Sequence, residues 1–211
     1  RQGGRSGFDY YENDDNYVYA IAQFFPRLAV YNEALGWQHK QFLGSGEFTL
    51  PFGDYKVSIT VPADHVIAAT GECQNYSEVL TADQLKRWNA VQKLSAADVA
   101  AANGAMDPTE IVTLEEAKYR EQHRDTLQTK TWHYKATNVR DFAWGSSRKF
   151  VWDAMPEFVE GKRINCMSYY GKEAYGLYRK YSTKVVAHTI KTYSKYSTAY
   201  GTSQYLLYFL I

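Results

Sequence analysis

Two short tracts in which every second residue is apolar constrain the fold of this chain more than any other feature. Residues 55–61 read YKVSITV and residues 132–136 read WHYKA, so large apolar side chains alternate with polar ones in both. A period of two is typical of a β-strand that buries one face. The residues PAD follow the first tract and favour a turn, and residues 65–70 form a second apolar run. We therefore predict a β-hairpin built from residues 55–61 and 65–70.

Two further runs extend the β-rich prediction. YVYAIA at residues 17–22 and KRINCMSYY at residues 162–170 each predict one more strand. Aromatic residues make up 16% of the chain and tyrosine alone contributes 19 residues. Tyrosine is favoured on pleated, half-buried surfaces, so this composition supports a sheet-based fold.

Helical signals interrupt the β-rich sequence between residues 78 and 128. Thr81 with Gln84, and Thr113 with Glu116, match the capping box that begins a helix. We predict that this region is a helical insertion in a β-rich body.

The C-terminal region also predicts a helix. Ser182 is a plausible N-cap, and Val186, Ile190 and Tyr193 then fall on one side of the helix. The predicted fold class is therefore β-rich α+β: a curved antiparallel or mixed sheet with a helical insertion and a C-terminal helix.

The stretch NVRDFAWGSSRKFVWDA, residues 138–154, combines aromatic and charged residues and could be a reactive site, a ligand platform or the wall of a sheet. Alternation places Phe142 with Trp144, and Phe150 with Trp152, on shared faces, so we predict a sheet wall with a turn at residues 145–147. We expect its charged side chains to pair across strands on the solvent-facing side: Arg140 and Arg148 with Asp141 and Asp153.

Composition argues against several classes of partner. The net charge is +1 and no contiguous block of Lys and Arg occurs, which makes nucleic acid an improbable partner. No apolar run approaches the roughly 20 residues of a membrane-spanning helix, so no membrane span is predicted. Cys73 and Cys166 could form one disulfide, but two buried free thiols are the favoured interpretation.

No catalytic residue or metal ligand can be assigned from motifs. The five histidines lie outside HExxH and other ligand spacings, which makes a zinc site within this chain improbable. HRD at residues 123–125 imitates a kinase catalytic loop, but Lys130 stands where that loop needs an asparagine. We therefore predict no catalytic group and no metal site in this chain.

Six segments, taken in order, resemble the zinc aminopeptidases typified by aminopeptidase N, a family of gluzincin metallopeptidases. They are RQGGRSGFDYY, YVYAIAQFFPRLAVYNE, GWQHKQFLGSGEF, FGDYKVSITVPADHVIAATGE, NVRDFAWGSSRKFVWDA and STKVVAHTIKTYSKY. The resemblance covers roughly residues 1 to 200 and is strongest to a bacterial branch with a helical insertion. It implies that residues 1–77 and 129–172 form the latter part of a saddle-like β domain and that residues 78–128 form the insertion. Residues 173–211 would be the first helix of a truncated thermolysin-like catalytic domain with a divergent tail.

The resemblance also implies a function for the intact enzyme, which is the hydrolysis of peptides. In that family an HExxH helix and a later glutamate hold zinc, and the glutamate of the motif acts as the general base. This sequence lacks the motif, so the isolated chain is expected to be inactive and to need the missing catalytic domain, or an equivalent, as its partner. Members of the family are often exported, which suggests an exported or periplasmic location.

One site of the family falls within this chain. A segment like Thr-Gln-x-Glu offers its last residue to the amine of the substrate, and the residues AQFF match it here. Gln23 then stands on the glutamine and Phe25 where the acid would be, so both are expected next to the substrate. Phe25 removes a negative partner for the amine, and Arg27 is expected to be structural.

Two other functions stay open at this stage. The abundance of Tyr and Trp favours a non-catalytic β-rich module that binds peptide or glycan. Phe25 and the unusual end GTSQYLLYFLI favour the remnant of an inactivated peptidase, and the end itself is explained by truncation, a frame shift or divergence. The apolar run YLLYFLI at residues 205–211 is an aggregation or docking hazard.

Overall fold

The structure is a computed structural model that describes residues 17–39 and 50–196 with their side chains. It also describes the backbone of the strands at 7–9 and 205–209. In chain order the strands are β1 (Gly7–Asp9), β2 (Val18–Ile21), β3 (Val30–Asn32), β4 (Gly36–Gln38), β5 (Gly53–Pro62), β6 (Val66–Ala69), β7 (Glu72–Cys73), β8 (Thr109–Val112), β9 (Thr129–Val139), β10 (Trp144–Ser147), β11 (Phe150–Val159), β12 (Lys162–Gly171) and β13 (Tyr205–Phe209). The helices are α1 (Tyr76–Val79), α2 (Ala82–Lys93), α3 (Ala96–Ala101), α4 (Leu114–Gln122) and α5 (Tyr175–Tyr196).

The strands form several sheets, and the predicted β-rich α+β class is confirmed. Two sheets have four strands, in the orders β1-β2-β10-β6 and β13-β12-β11-β8, and a third has the order β5-β9-β7. Strands β3 and β4 form a separate antiparallel pair. Among the described strands the pairing is antiparallel except between β12 and β13, which run parallel.

The alternation that opened the sequence analysis predicts the buried faces correctly. In β9, Trp132, Tyr134 and Ala136 are buried, whereas His133 and Lys135 are exposed. Strand β5 pairs with β9 along its whole length and turns the side chains of Ile59 and Val61 toward the same core.

The predicted hairpin is wrong, although both of its strands exist. Strand β5 pairs with β9, and β6 pairs with β10 in another sheet. The side chains of β5 alternate between buried and exposed, whereas every residue of β6 is buried, so the two strands do not share one half-exposed surface. A turn closed by a hydrogen bond from the His65 N–H to the Pro62 carbonyl, 3.0 Å long, carries the chain between the sheets.

The helical insertion forms, and it contains a strand that the sequence analysis did not predict. Both predicted capping boxes are present, at Thr81 with Gln84 and at Thr113 with Glu116. Strand β8 lies between the two capped helices and pairs with β11 at the edge of a sheet. The insertion is therefore part of the sheet structure as well as a helical segment.

The turn predicted at residues 145–147 is wrong. These residues belong to β10, and the turn lies at Arg148 and Lys149. The sheet-wall interpretation itself agrees with the structure, because Phe142, Phe150 and Trp152 are fully buried.

The predicted solvent-facing charge pairs in this stretch are also wrong. Arg148 Nε lies 3.0 Å from Asp64 Oδ2, and Asp141 Oδ2 lies 3.0 Å from Arg27 Nη1. Asp153 is fully buried and accepts a hydrogen bond of 2.6 Å from the Tyr170 hydroxyl. Asp153 is buried because α5 packs on β11 and β12 and covers the face that alternation alone leaves to solvent, whereas Arg148 and Asp141 find partners from distant parts of the chain.

Helix α5 begins at Tyr175, seven residues before the predicted cap at Ser182. Ser182 lies inside the helix, where its hydroxyl donates to the Tyr178 carbonyl. The predicted burial of Val186 and Ile190 is confirmed, but Tyr193 is 69% exposed. Tyr193 lies beyond Ile190, the last residue of α5 that is buried.

The terminal segments are described only in part. Residues 205–209 of the predicted apolar tail form β13, but their side chains and residues 210–211 lie outside the described residues. Over the described residues, the helices are too short or too polar to cross a bilayer.

Candidate functional site

The segment expected next to a substrate lies immediately after β2. Gln23 has a backbone φ of 53°, in the left-handed region that residues other than glycine seldom adopt. Such a conformation costs on the order of 1 kcal/mol, and surrounding structure must hold it in place. The bend turns the chain out of the sheet and leaves the Gln23 side chain half-buried.

Phe25 is held by aromatic and charged neighbours. Its ring meets the Tyr55 ring edge-on at a centroid distance of 5.7 Å, and the Arg27 guanidinium lies 5.7 Å from its centroid. Arg27 in turn forms the ion pair with Asp141. Phe25 therefore packs against Tyr55 of β5, and its side chain offers no acceptor for an amine.

The neighbouring Phe24 is turned outward. Its side chain is 46% exposed, and its ring meets those of Phe25 and Trp144 edge-on at 5.0 and 6.4 Å. The structure thus brings Gln23 and Phe25 into one bend that is lined by aromatic rings. Such a surface can bind a peptide through its amide and ring faces, but an amide and phenyl rings supply no acid, base or nucleophile.

A second polar cluster, which the sequence analysis missed, lies where β6 and β10 meet. Arg148 donates from Nε to Asp64 Oδ2, and the Asp125 backbone N–H donates to the same oxygen over 3.0 Å. The His65 Nδ1 and the Ser146 hydroxyl lie 2.7 Å apart. All side chains of this cluster except that of Asp125 are buried.

The serine–histidine pair in this cluster is structural. Burial lowers the pKa of His65 to about 4, against the opposing charge of Asp64, so the imidazole is neutral near neutral pH. Asp64 Oδ1 lies 4.0 Å from His65 Nε2, beyond hydrogen-bond distance, and its other oxygen is bound to Arg148. Ser146 is fully buried, so the pair ties the turn before β6 to β10 and does not present a nucleophile.

The described residues do not form a ligand set for zinc. No group of three histidine, cysteine or carboxylate side chains among them is arranged to hold a metal ion. Cys73 and Cys166 are buried free thiols, as predicted, and burial raises the pKa of each to about 12. We assign no catalytic step through zinc to these residues.

Sequence spacing gave no signal for the polar cluster. Asp64 and Arg148 are 84 residues apart, and His65 and Ser146 are 81 residues apart. Only the pairing of β6 with β10 brings them together.

Comparisons with protein-family models, with curated proteins and with solved structures found no match to this chain.

Proposed function

We propose that this chain is the non-catalytic N-terminal portion of a zinc-dependent aminopeptidase-like protein, in which its saddle-like β domain helps to orient the peptide. The observation that carries the proposal is the strained bend at Gln23. Strained backbone is retained mainly at functional sites, and this bend falls on the segment that the family resemblance assigns to the substrate. The backbone conformation of Gln23 and the family resemblance thus both support this segment as the substrate-adjacent one.

The proposed role of Gln23 is to accept a hydrogen bond from the substrate's ammonium group through its side-chain oxygen. Phe25 cannot replace the missing carboxylate, so the contact with the amine is neutral. The exposed ring of Phe24 supplies an apolar surface beside it for the first side chain of the peptide.

The proposed partner is the remainder of a thermolysin-like catalytic domain. Leu177, Tyr181 and Val185 are spaced four residues apart on α5 and are 60%, 49% and 57% exposed. Side chains at this spacing form one stripe on a helix, and an exposed apolar stripe favours contact with another domain. This supports the assignment of residues 173–211 to the start of a catalytic domain.

A peptide- or glycan-binding module is the second candidate function. Tyr31 and Trp37 lie opposite each other on β3 and β4, their rings meet edge-on at 5.3 Å, and they are 60% and 62% exposed. Exposed aromatic pairs of this kind are suited to stacking on a ligand. Quenching of tryptophan fluorescence by a glycan, lost in Trp37→Phe, would favour this candidate.

Nuclear magnetic resonance of the side-chain amides tests the proposed role of Gln23. We expect leucine p-nitroanilide, which has a free amine, to shift the Gln23 amide signal, and its N-acetyl derivative to leave it unchanged. Gln38 on β4 is the matched control, because its amide donates to the Gly36 carbonyl within the β3–β4 pair. Equal shifts with the two compounds, or a shift at Gln38 alone, would contradict the proposal.

The coding sequence distinguishes an active peptidase from an inactivated remnant. Reading it past Ile211, in every frame, should reveal HExxH if the intact protein is a zinc peptidase. Its absence there would favour the remnant.

A further inference from the structure

A cleft of about 750 Å³ separates the helical insertion from the β-rich body. Val79 and Leu80 line one wall, Tyr119 and Arg120 of α4 line another, and Lys130 and Trp132 of β9 also line the cleft. The volume is typical of sites that bind small molecules, and the wall combines apolar side chains with a few polar groups.

Lys130 carries a charge in this cleft that the described residues do not balance directly. Its ammonium group donates to the Val79 carbonyl over 2.9 Å and lies 5.9 Å from the centroid of the Trp132 ring. No carboxylate among the described residues forms an ion pair with it. Burial, together with the charge of Arg120 and against the opposing charge of Asp64, lowers the pKa of Lys130 to about 8. An ammonium group has three donors, so two remain for a ligand.

Trp132 provides a second donor. Its side chain is 1% exposed, and its indole N–H has no hydrogen-bond acceptor within the part of the chain that the structure describes. A buried N–H without an acceptor costs about 1 to 3 kcal/mol, so an acceptor that enters the cleft would be stabilised.

The remaining charges limit which anion fits. Arg120 directs its Nε and one terminal nitrogen to the Arg148 and Phe150 carbonyls, which uses two of its five donors and fixes its guanidinium against the backbone. Four carboxylates also line the cleft and repel a strongly charged anion: Asp64, Glu115, Glu116 and Asp125. One ammonium group and one indole N–H match a single carboxylate better than a phosphate dianion.

We propose that this cleft binds a carboxylate carried on an apolar body. One carboxylate oxygen accepts from the Lys130 ammonium group and the other from the Trp132 indole N–H, while the apolar body lies against Val79 and Leu80. The same chemistry is found in a free aliphatic acid and in the C-terminus of an apolar peptide, and the experiment separates the two.

Calorimetric titration with octanoate and with octanamide tests the charge requirement. We expect octanoate to bind at least about tenfold more tightly, because the amide has no charge for Lys130 to balance. Acetyl-leucyl-leucine and its C-terminal amide form the peptide arm. Preference for either acid over its amide supports the proposal, and the tighter acid identifies the source.

Two variants locate the binding site. Lys130→Met should remove the preference for octanoate, and Trp132→Phe, which keeps an aromatic ring but removes the indole N–H, should weaken octanoate binding about tenfold. Lys86→Met is the matched control, because Lys86 is exposed on α2 and does not line the cleft. Its affinity for octanoate should equal that of the wild type.

The pH dependence of the wild type gives a reading that needs no variant. Octanoate affinity should fall as the pH rises through about 8, where Lys130 loses its proton. Absence of saturable binding by either acid, equal binding of acid and amide, or unchanged affinity in a folded Lys130→Met protein would overturn the proposal.

Discussion

Asp153 makes the stability of this protein depend on pH. Its carboxyl group is fully buried between the sheet and α5, where Tyr170 donates to Oδ2 at 2.6 Å and Oδ1 has no partner among the described residues. Glu110 lies opposite it on β8, and Arg179 of α5 adds a positive charge. Burial outweighs Tyr170 and Arg179 and raises the pKa of Asp153 from 3.8 to about 7.

The sign and size of the effect follow from this shift. A carboxyl whose pKa is raised on folding stabilises the native state fully below pH 3.8, and this contribution is lost as the pH rises through about 7. A tenfold change in an acid constant corresponds to about 1.4 kcal/mol, so the complete loss is about 4 kcal/mol. Between about pH 4.5 and about pH 8 the free energy of unfolding should fall by about 3 kcal/mol from this group alone.

Urea unfolding of the wild type and of Asp153→Asn measures this contribution. Asparagine can still accept from Tyr170 but does not ionise, so the stability of the variant relative to the wild type should rise by about 3 kcal/mol between about pH 4.5 and about pH 8. Asp83→Asn, at an exposed position in the first turn of α2, should not show this change. A constant difference between wild type and Asp153→Asn over this range would contradict the raised pKa of Asp153.

Three further predictions concern the polar cluster and a helix cap. Burial lowers the pKa of His65 from 6.5 to about 4, so the stability that this residue contributes is lost as the pH falls between these values. His65→Asn should abolish this dependence of the unfolding free energy on pH in urea titrations. Arg148→Met leaves Asp64 buried without its partner and should lower the free energy of unfolding by about 4 kcal/mol, with part regained in the double variant that adds Asp64→Asn. Thr113→Ala removes one capping box and should cost about 1 kcal/mol, measured by thermal unfolding followed by circular dichroism. Each prediction is contradicted by its own result: an unchanged pH dependence in His65→Asn, or an unchanged stability in Arg148→Met or Thr113→Ala.

The sequence predicts local structure well because local structure depends on neighbouring residues. Alternation identified the buried face of β9 at Trp132 and Tyr134, and spacing identified the caps at Thr81 and Thr113. Strand pairing depends on residues far apart in the chain, and the hairpin prediction failed for that reason. Periodicity also does not reveal whether the second face of a strand is covered, so the burial of Asp153 was not foreseen.

The candidate sites show the same division. Gln23 and Phe25 were singled out only because the segment resembles a known family, and their role stays a prediction. The cleft between the helical insertion and β9 unites Lys130 with Val79, which is 51 residues away, and no spacing rule connects them. These residues come together only when the insertion folds against β9.

Hydrolysis of aminoacyl-anilides by the purified chain tests whether this portion of the protein is non-catalytic. We expect no turnover above that of buffer, with or without added zinc, because the described residues form no ligand set for zinc and we propose that they only help to orient the peptide. Turnover by the pure chain that a metal chelator abolishes would contradict it.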